Sequence, residues 1–179
     1  MQQNSSGLNP PVPRRLKTPT WHDPRRWWGA LAAGMTGIAA NVAVLWVGTG
    51  LGLRSESGGL LRLLLKTLGG WVPVLAHHPP PTALAWLGFH VGSGLGMVVV
   101  YVAWLDRALP GPAWWRGFLF GLLPWGLNSF LVLPLLGQGL AGHRVLTPAG
   151  MAWFFLANQV FAVVTATLYA RLTREPGPA

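Results

Sequence analysis

Residues 82 to 104, TALAWLGFHVGSGLGMVVVYVAW, form an apolar run that contains no formally charged side chain. At ~1.5 Å per residue, a helix of this length crosses the ~30 Å hydrocarbon core of a bilayer. Because backbone hydrogen bonds in lipid must be satisfied within the segment, such a run folds as a helix. The run therefore predicts an all-helical integral membrane protein.

The composition of the whole chain agrees with this prediction. Hydrophobic residues make up 51% of the 179 residues and charged residues only 9%, and the mean hydropathy is +0.42. The absence of cysteine excludes disulfides, thiolate nucleophiles and cysteine-ligated metals. No Ser/His/Asp set, HExxH motif or phosphate-binding loop occurs in the sequence. We therefore expect a single membrane domain that is not an enzyme.

Four apolar runs predict an all-α protein with four transmembrane helices in a domain that covers 27–172. We expect these helices at 27–53, 82–104, 117–137 and 150–172, with a basic, proline-containing tail at 1–26 and a short tail at 173–179. Residues 58–72 are too short and too charged to span, yet leucines surround Arg62 and Lys66. This pattern predicts an amphipathic helix in the interface plane, or alternatively a surface helix on the end of the bundle.

The formal net charge of +9 comes from basic residues in the tails and loops. Nine Lys and Arg residues, including Arg14, Arg15 and Lys17, fall on one side of the predicted helices and four on the other. The positive-inside rule then places both termini in the cytoplasm. Because no aromatic residue interleaves the basic cluster before Trp21, membrane orientation explains the charge better than nucleic-acid binding does.

The four helices show signs of an internal repeat. A shift of 68 positions lays His90, Met97 and Tyr101 onto Asn158, Thr165 and Tyr169, and a shift of 87 lays Ala30, Gly34, Gly37 and Asn41 onto Gly117, Gly121, Pro124 and Asn128. This pattern predicts two repeated helical hairpins related by a pseudo-twofold axis along the membrane normal. Chance similarity among glycine-rich apolar helices is the alternative.

One amide or imidazole lies at a similar depth in each predicted helix: Asn41, His90, Asn128 and Asn158. Polar groups at this depth face the interior of a bundle, because an unpaired one in hydrocarbon costs several kcal/mol. The sequence allows two interpretations of this polar layer. It is either a hydrogen-bond network that fixes helix register, or a site for a quinone carbonyl, a lipid or another polar head group.

Cofactor ligation is a further alternative for His90. A (bacterio)chlorophyll magnesium needs one imidazole and small residues beside it, which His90, Gly92 and Gly94 would supply. A bis-histidine haem is disfavoured, because the repeat partner of His90 is Asn158. We expect no metal centre, although His77, His78 and His143 all fall on one side of the predicted membrane.

Gly88, Gly92 and Gly96 form a ridge on the helix face opposite His90. Small residues at this spacing allow another helix to approach closely. The ridge is therefore a candidate contact for another integral membrane subunit, or it packs against a helix of the same bundle.

The order of these features carries a resemblance to a known group of proteins. A glycine-rich first helix precedes a helix with a central His90, and the third helix begins with the RGxxFG pattern of 116–121 and carries Asn128 and Pro134 toward its end. Over 27–171 the chain is similar to small uncharacterised four-helix proteins of the bacterial inner membrane. Such proteins often have a histidine in helix four, where this chain has Asn158. The resemblance implies the fold and the bacterial inner membrane as location.

Three functions are compatible with the sequence. We expect a non-catalytic accessory subunit of a respiratory, photosynthetic or similar electron-transfer assembly, surrounded by membrane lipids and other integral membrane subunits. It would dock through the glycine ridge and through Arg14, Arg15 and Lys17. The alternatives are a protein that binds a quinone, pigment or haem-like cofactor at the polar layer, and a small-molecule transporter. A transporter is disfavoured because no acidic residue lies inside a predicted span.

Overall fold

The computed structural model describes residues 23–54, 59–71 and 82–173, and within these ranges the chain is helical without strands. We label the helices α1 (Pro24–Gly50), α2 (Gly59–Trp71), α3 (Ala83–Ala108), α4 (Ala113–Leu135) and α5 (Pro148–Thr173). All except α2 are long and apolar enough to cross a membrane. The predicted all-α class is thus confirmed, with four helices that are long and apolar enough to span a membrane. Arg14, Arg15, Lys17, His77 and His78 lie outside the described residues.

Three helices begin before the apolar runs that predict them, and one of these, α5, begins only two residues early, at Pro148. Helix α1 begins at Pro24 instead of Trp27, because Asp23 caps it by accepting a 2.9 Å hydrogen bond from the backbone N–H of Arg25. Proline suits this first position, where its missing N–H costs nothing. Helix α4 begins at Ala113 instead of Gly117, directly after Pro112. The amino-terminal ends of these helices therefore extend past the hydrophobic segments, whereas α1 and α4 end at Gly50 and Leu135, before the predicted residues 53 and 137.

Helix α5 is the centre of the bundle, with α1 and α4 packed along it. Glycines make these contacts close. A Cβ atom on Gly37 of α1 would lie 2.8 Å from the Phe161 carbonyl oxygen of α5, and one on Gly117 of α4 would lie 2.7 Å from the Val163 Cα atom. The resulting core consists largely of alanine and aromatic side chains. Small residues thus bring three helices into backbone contact.

The bundle has two ends that differ in packing. We call the end where α1 and α4 begin and α3 and α5 finish the tail end, and the opposite end the loop end. At the tail end, Arg116 on α4 donates to Asp106 on α3, with a 2.7 Å distance from Nη1 to Oδ1. The Tyr101 ring lies 4.9 Å from Phe120 and 6.3 Å from Tyr169 between ring centroids. The tail end is therefore closed by polar and aromatic contacts between α3, α4 and α5.

Arg26 is also part of this closed end, although its side chain is only 1% exposed. Its Nη2 atom donates a hydrogen bond to the carbonyl oxygen of Val102. Val102 lies in a π-helical turn of α3, Tyr101–Leu105, in which the backbone N–H of Asp106 bonds to the Tyr101 carbonyl. By its position Arg26 belongs to the basic tail predicted at 1–26. In the structure it ties α1 to α3 instead.

Toward the loop end, α3 is much less covered than the other three membrane helices. Only 6% of its apolar window is buried, against 33 to 39% for α1, α4 and α5. All its buried residues lie at or after Val98. It approaches α1 closely where Gly94 meets Ile38 and Gly34 meets Val98. The first half of α3 therefore leaves space between itself and the rest of the bundle.

Helix α2 lies beside a second π-helical turn, Asn128–Val132 in α4. Pro134 follows this turn, and proline lacks the N–H that would pair with the carbonyl four residues earlier. Arg62 and Lys66 of α2 are exposed, whereas Leu61, Leu63 and Leu65 are half-buried. Leu60, Leu64 and Leu68 are exposed as well, so the leucines of α2 are only partly covered by the described residues.

Candidate binding cavity

A cavity of about 170 Å³ lies between α1, α3, α4 and α5 in the loop-end half of the bundle. Asn41, His90, Asn128 and Asn158 all line it. The structure therefore brings together the four polar residues that the sequence places at one depth, one from each membrane helix.

Asn41 connects three of these helices. Its Nδ2 atom donates to the Ala157 carbonyl oxygen of α5 at 2.9 Å, and its Oδ1 atom lies 3.1 Å from His90 Nε2 of α3. Because a carbonyl oxygen only accepts, the first bond fixes which amide atom faces His90. That atom is an acceptor, so His90 Nε2 carries a hydrogen and donates it. The neutral imidazole then has its lone pair on Nδ1.

Asn128 and Asn158 do not join this chain of hydrogen bonds. Asn128 Nδ2 donates to the Pro124 carbonyl at 2.9 Å, and Asn158 Nδ2 donates to the Phe154 carbonyl at 2.8 Å. Each bond is to the residue four positions earlier in the same helix. Among the described residues neither side chain makes another hydrogen bond. A hydrogen-bond network across all four helices is therefore not formed.

Aromatic side chains form much of the remaining wall: Trp86, Phe89, Phe154 and Phe161. The Trp86 ring stacks on His90 at a centroid distance of 5.1 Å and an interplanar angle of 12°. This contact covers one face of the imidazole. Leu60 and Leu61 of α2 complete the lining, so α2 lies over the cavity.

Ser93 is a cavity residue that the sequence analysis missed. It follows His90 by one helical turn, and its Oγ atom donates to the His90 carbonyl oxygen at 3.1 Å. The sequence does indicate this position, because Ser93 lies three residues after His90 and therefore on nearly the same face of the helix. Gln159, Ser129 and Thr165 are further buried polar residues of α4 and α5 that have no side-chain hydrogen bond among the described residues, and they do not line the cavity.

The structure does not favour a chlorophyll or haem at His90. A cavity of ~150 Å³ holds benzene, and a tetrapyrrole macrocycle is several times larger than one such ring. Gly94, expected to leave space beside the imidazole, packs on Ile38, because a Cβ atom there would lie 2.8 Å from that side chain. Within the described residues no group of three or more His, Asp or Glu side chains is placed to hold a metal ion.

The glycine ridge of Gly88, Gly92 and Gly96 lies on the outside of the bundle. All three residues are exposed, and a Cβ atom on any of them would meet nothing within 4 Å among the described residues. The alternative in which the ridge packs on another helix of the same bundle is therefore wrong. The close approach of α3 to α1 depends on Gly94 and Gly34 instead.

No protein-family model matches the sequence, and no curated protein or solved structure is significantly similar to it. The resemblance to small bacterial inner-membrane proteins thus remains an expectation.

Proposed function

We propose that this protein binds a small, mainly apolar molecule with a polar group, in the cavity between its four membrane helices. The observation that carries the proposal is the convergence of Asn41, His90, Asn128 and Asn158 on one space of about 170 Å³. A polar side chain inside a membrane costs free energy unless it is paired, and such residues commonly mark a functional site. Two of these four, Asn128 and Asn158, bond only to their own helices and leave acceptor atoms for an occupant.

The rest of the lining fits such a ligand. Binding sites for small molecules are mostly apolar and aromatic, with a few polar groups that fix orientation. Trp86, Phe89, Phe154 and Phe161 supply the aromatic surface here. The ligand would enter from the membrane, since the first half of α3 is only loosely packed on the bundle.

Native mass spectrometry of the protein, purified in lipid nanodiscs and followed by chromatography of an organic extract, tests this proposal. We expect a bound small molecule in the wild type. Ser93→Phe fills the cavity and should abolish the adduct, whereas Val99→Phe adds the same ring to an exposed position of α3 and should not. No adduct in the wild type, or an adduct that survives Ser93→Phe, would contradict the proposal.

The exposed face of α3 supports a second candidate, an accessory subunit of a larger electron-transfer assembly. Gly88, Gly92 and Gly96 form a smooth surface one helical turn apart, on the least covered of the four membrane helices. The partner would be a transmembrane helix of another integral membrane subunit, packed into this groove. The basic tail with Arg14, Arg15 and Lys17 would add contacts outside the membrane.

Chemical crosslinking in native membranes, followed by mass spectrometry, tests the subunit proposal. We expect one membrane protein to crosslink to α3 in the wild type and to be lost in Gly92→Leu. Gly126→Leu is the matched control, because its Cβ atom would meet only Phe130, at 3.9 Å. Equal crosslinking of both variants would contradict docking through the ridge.

We further propose that the protein lies in the bacterial inner membrane with both termini in the cytoplasm and with α2 in the outer interface. The excess of Lys and Arg at the tail end supports this orientation. Exposed Arg62 and Lys66 on α2 suit phosphate headgroups. In labelling of intact cells, we expect Gly70→Cys and His143→Cys to react and Ser5→Cys to be protected, and the reverse pattern would contradict the orientation.

The proposed repeat of two hairpins has limited support from packing. Gly34 of α1 packs against α3, and Gly121, 87 positions later in α4, packs against Gln159 of α5. A pseudo-twofold axis that superposes α1 on α4 and α3 on α5 would carry the contact of α1 with α3 onto the contact of α4 with α5. Helix α5 is central, however, whereas α3 is peripheral, so any repeat has diverged in packing.

A further inference from the structure

The residues that line the cavity differ in exposure, and the difference locates its mouth. Leu60 of α2 and Phe89 of α3 are the exposed residues of the lining. Asn41 of α1 and Asn158 of α5 are buried, with exposed fractions of only 7% and 9%. Among the described residues, the cavity therefore has its mouth between α2 and α3, at Leu60 and Phe89, and its floor on α1 and α5, at Asn41 and Asn158.

The polarity of the lining changes in the same direction. The two residues of the mouth have apolar side chains, whereas the two residues of the floor have amides. A molecule that enters from the hydrocarbon region meets the leucine and the aromatic ring first and the amides last. Because a polar group buried without a partner costs free energy, an amphiphile would bind with its polar group on the floor and its apolar part at the mouth.

The lining also lacks formal charge. Among the described residues it contains no Asp, Glu, Lys or Arg side chain. Arg62 and Lys66 of α2 are exposed and do not line the cavity, and the described acidic residues, Asp23 and Asp106, lie at the tail end. A charged head group on the floor would therefore lose its hydration without gaining a counter-ion, which costs far more than burial of a neutral group. An amide both donates and accepts hydrogen bonds, so the floor suits a neutral polar group.

The volume limits how much of an amphiphile fits inside. A cavity of ~150 Å³ holds benzene, so about 170 Å³ accommodates a polar head and only a short apolar segment. A longer hydrocarbon chain would have to leave through the mouth. There it would run along the first half of α3, where Leu84 is 79% exposed. This surface is apolar and suits a chain that lies in the bilayer.

From these observations we infer that the ligand is a neutral, long-chain amphiphile, bound with its polar head beside Asn41 and Asn158 and with its chain leaving between Leu60 and Phe89. This inference rests on the proposed binding function and narrows it from any small molecule with a polar group to an uncharged lipid. Fatty-acid anions and anionic phospholipids are excluded as ligands of the cavity. Long-chain alcohols, long-chain amides and tailed quinones share the required chemistry.

Dodecanamide and dodecanoate form a matched pair that tests the neutral head group. They have the same chain and nearly the same head-group shape, and they differ in charge at about pH 9, where the carboxyl group is ionised. Native mass spectrometry of the protein in phosphatidylcholine nanodiscs measures the bound fraction of each compound against its concentration in the bilayer. We expect the amide to bind roughly a hundredfold more tightly, because the carboxylate would be buried without a counter-ion.

Two variants show whether this binding occurs in the cavity. Ser93→Phe fills the cavity and should abolish the dodecanamide adduct, whereas Val99→Phe adds the same ring to an exposed position of α3 and should keep it. Equal binding of the amide and the carboxylate would overturn the neutral-head inference and leave the binding function intact. If neither compound bound, the inference would also be overturned. The adduct of the wild type with its own ligand would then decide the binding function separately.

Photocrosslinking tests the orientation of the ligand. One form of dodecanamide carries a diazirine next to the amide, and a second form carries it at the far end of the chain. We expect the first form to modify α1 or α5 near Asn41 and Asn158, and the second form to modify lipid and the exposed surface near Phe89. Modification of the floor by the diazirine at the chain end would overturn the head-first orientation.

Discussion

Asn41 of α1 and His90 of α3 are joined by a 3.1 Å hydrogen bond between Oδ1 and Nε2, inside the predicted hydrocarbon region. The same asparagine donates to the Ala157 carbonyl of α5. A single amide therefore holds the loosely packed half of α3 in register with the two helices behind it. It also determines the imidazole tautomer that the cavity presents.

The first prediction concerns that tautomer. In ¹⁵N-histidine NMR spectra, the neutral form of His90 should carry its hydrogen on Nε2, because Asn41 Oδ1 can only accept. Asn41→Leu removes this acceptor, and the resonances should shift toward a mixture of the two tautomers. His143 lies in an exposed loop and should be unaffected by the substitution. A wild-type His90 protonated on Nδ1 would contradict the assignment of acceptors in the cavity.

The second prediction compares two asparagines by stability. Asn41→Leu breaks two interhelical hydrogen bonds, each worth ~0.6 kcal/mol in membrane proteins, and should lower the free energy of unfolding by about 1 kcal/mol. Asn128→Leu loses only a hydrogen bond within its own helix, so it should lower the free energy of unfolding by clearly less than Asn41→Leu does. Unfolding in mixed micelles with increasing SDS measures both. Equal losses would mean that the bridge through Asn41 does not stabilise the bundle.

The sequence predicts the membrane helices and the meeting of four polar side chains for simple physical reasons. Long uncharged runs have few alternatives to a spanning helix, and polar groups at one depth turn inward together. The pairing of these groups is not predictable from depth. It depends on rotation about each helix axis, which close contacts such as Gly37 on α5 and Gly94 on Ile38 determine.

At the tail end, hydropathy fails to predict two features, the first residue of α1 and the burial of Arg26. Asp23 and Pro24 are a clear start signal for α1, but hydropathy alone places the start at Trp27. Arg25 and Arg26 are neighbours in the basic segment that precedes the first apolar run. Arg25 is exposed, whereas Arg26 is buried. Its partner is a carbonyl in a π-helical turn of α3 that contains no proline. Helical periodicity does place Arg26, and not Arg25, four residues before Ala30 on the face of α1 that packs in the bundle, but the carbonyl that Arg26 bonds is not visible in the sequence.

The third prediction uses this pair of arginines. Arg26→Met leaves the Val102 carbonyl without its donor and removes a buried, charged hydrogen bond, a kind worth about 1.5–3 kcal/mol. Arg25→Met changes an exposed side chain and should cost less than about 0.5 kcal/mol. Thermal unfolding of both variants in the same detergent compares them. Similar midpoints for the two variants would show that Arg26 does not hold α1 and α3 together.

The fourth prediction contrasts a glycine inside the bundle with one on its surface. A Cβ atom on Gly37 would overlap Thr165 Oγ1 and would lie 2.8 Å from the Phe161 carbonyl oxygen, so α1 and α5 would have to separate. Overpacking of this kind costs about 1–3 kcal/mol, and Gly37→Ala should be destabilised by that amount.

Gly92→Ala is the matched substitution on the exposed ridge, where the new methyl group meets no described atom. It should leave the free energy of unfolding unchanged or raise it by up to about 1 kcal/mol, because alanine is the better helix former. Unfolding of the purified protein in SDS titrations separates the two outcomes. A destabilised Gly92→Ala would mean that the ridge is packed within the protein itself, and docking of another subunit there would then be excluded.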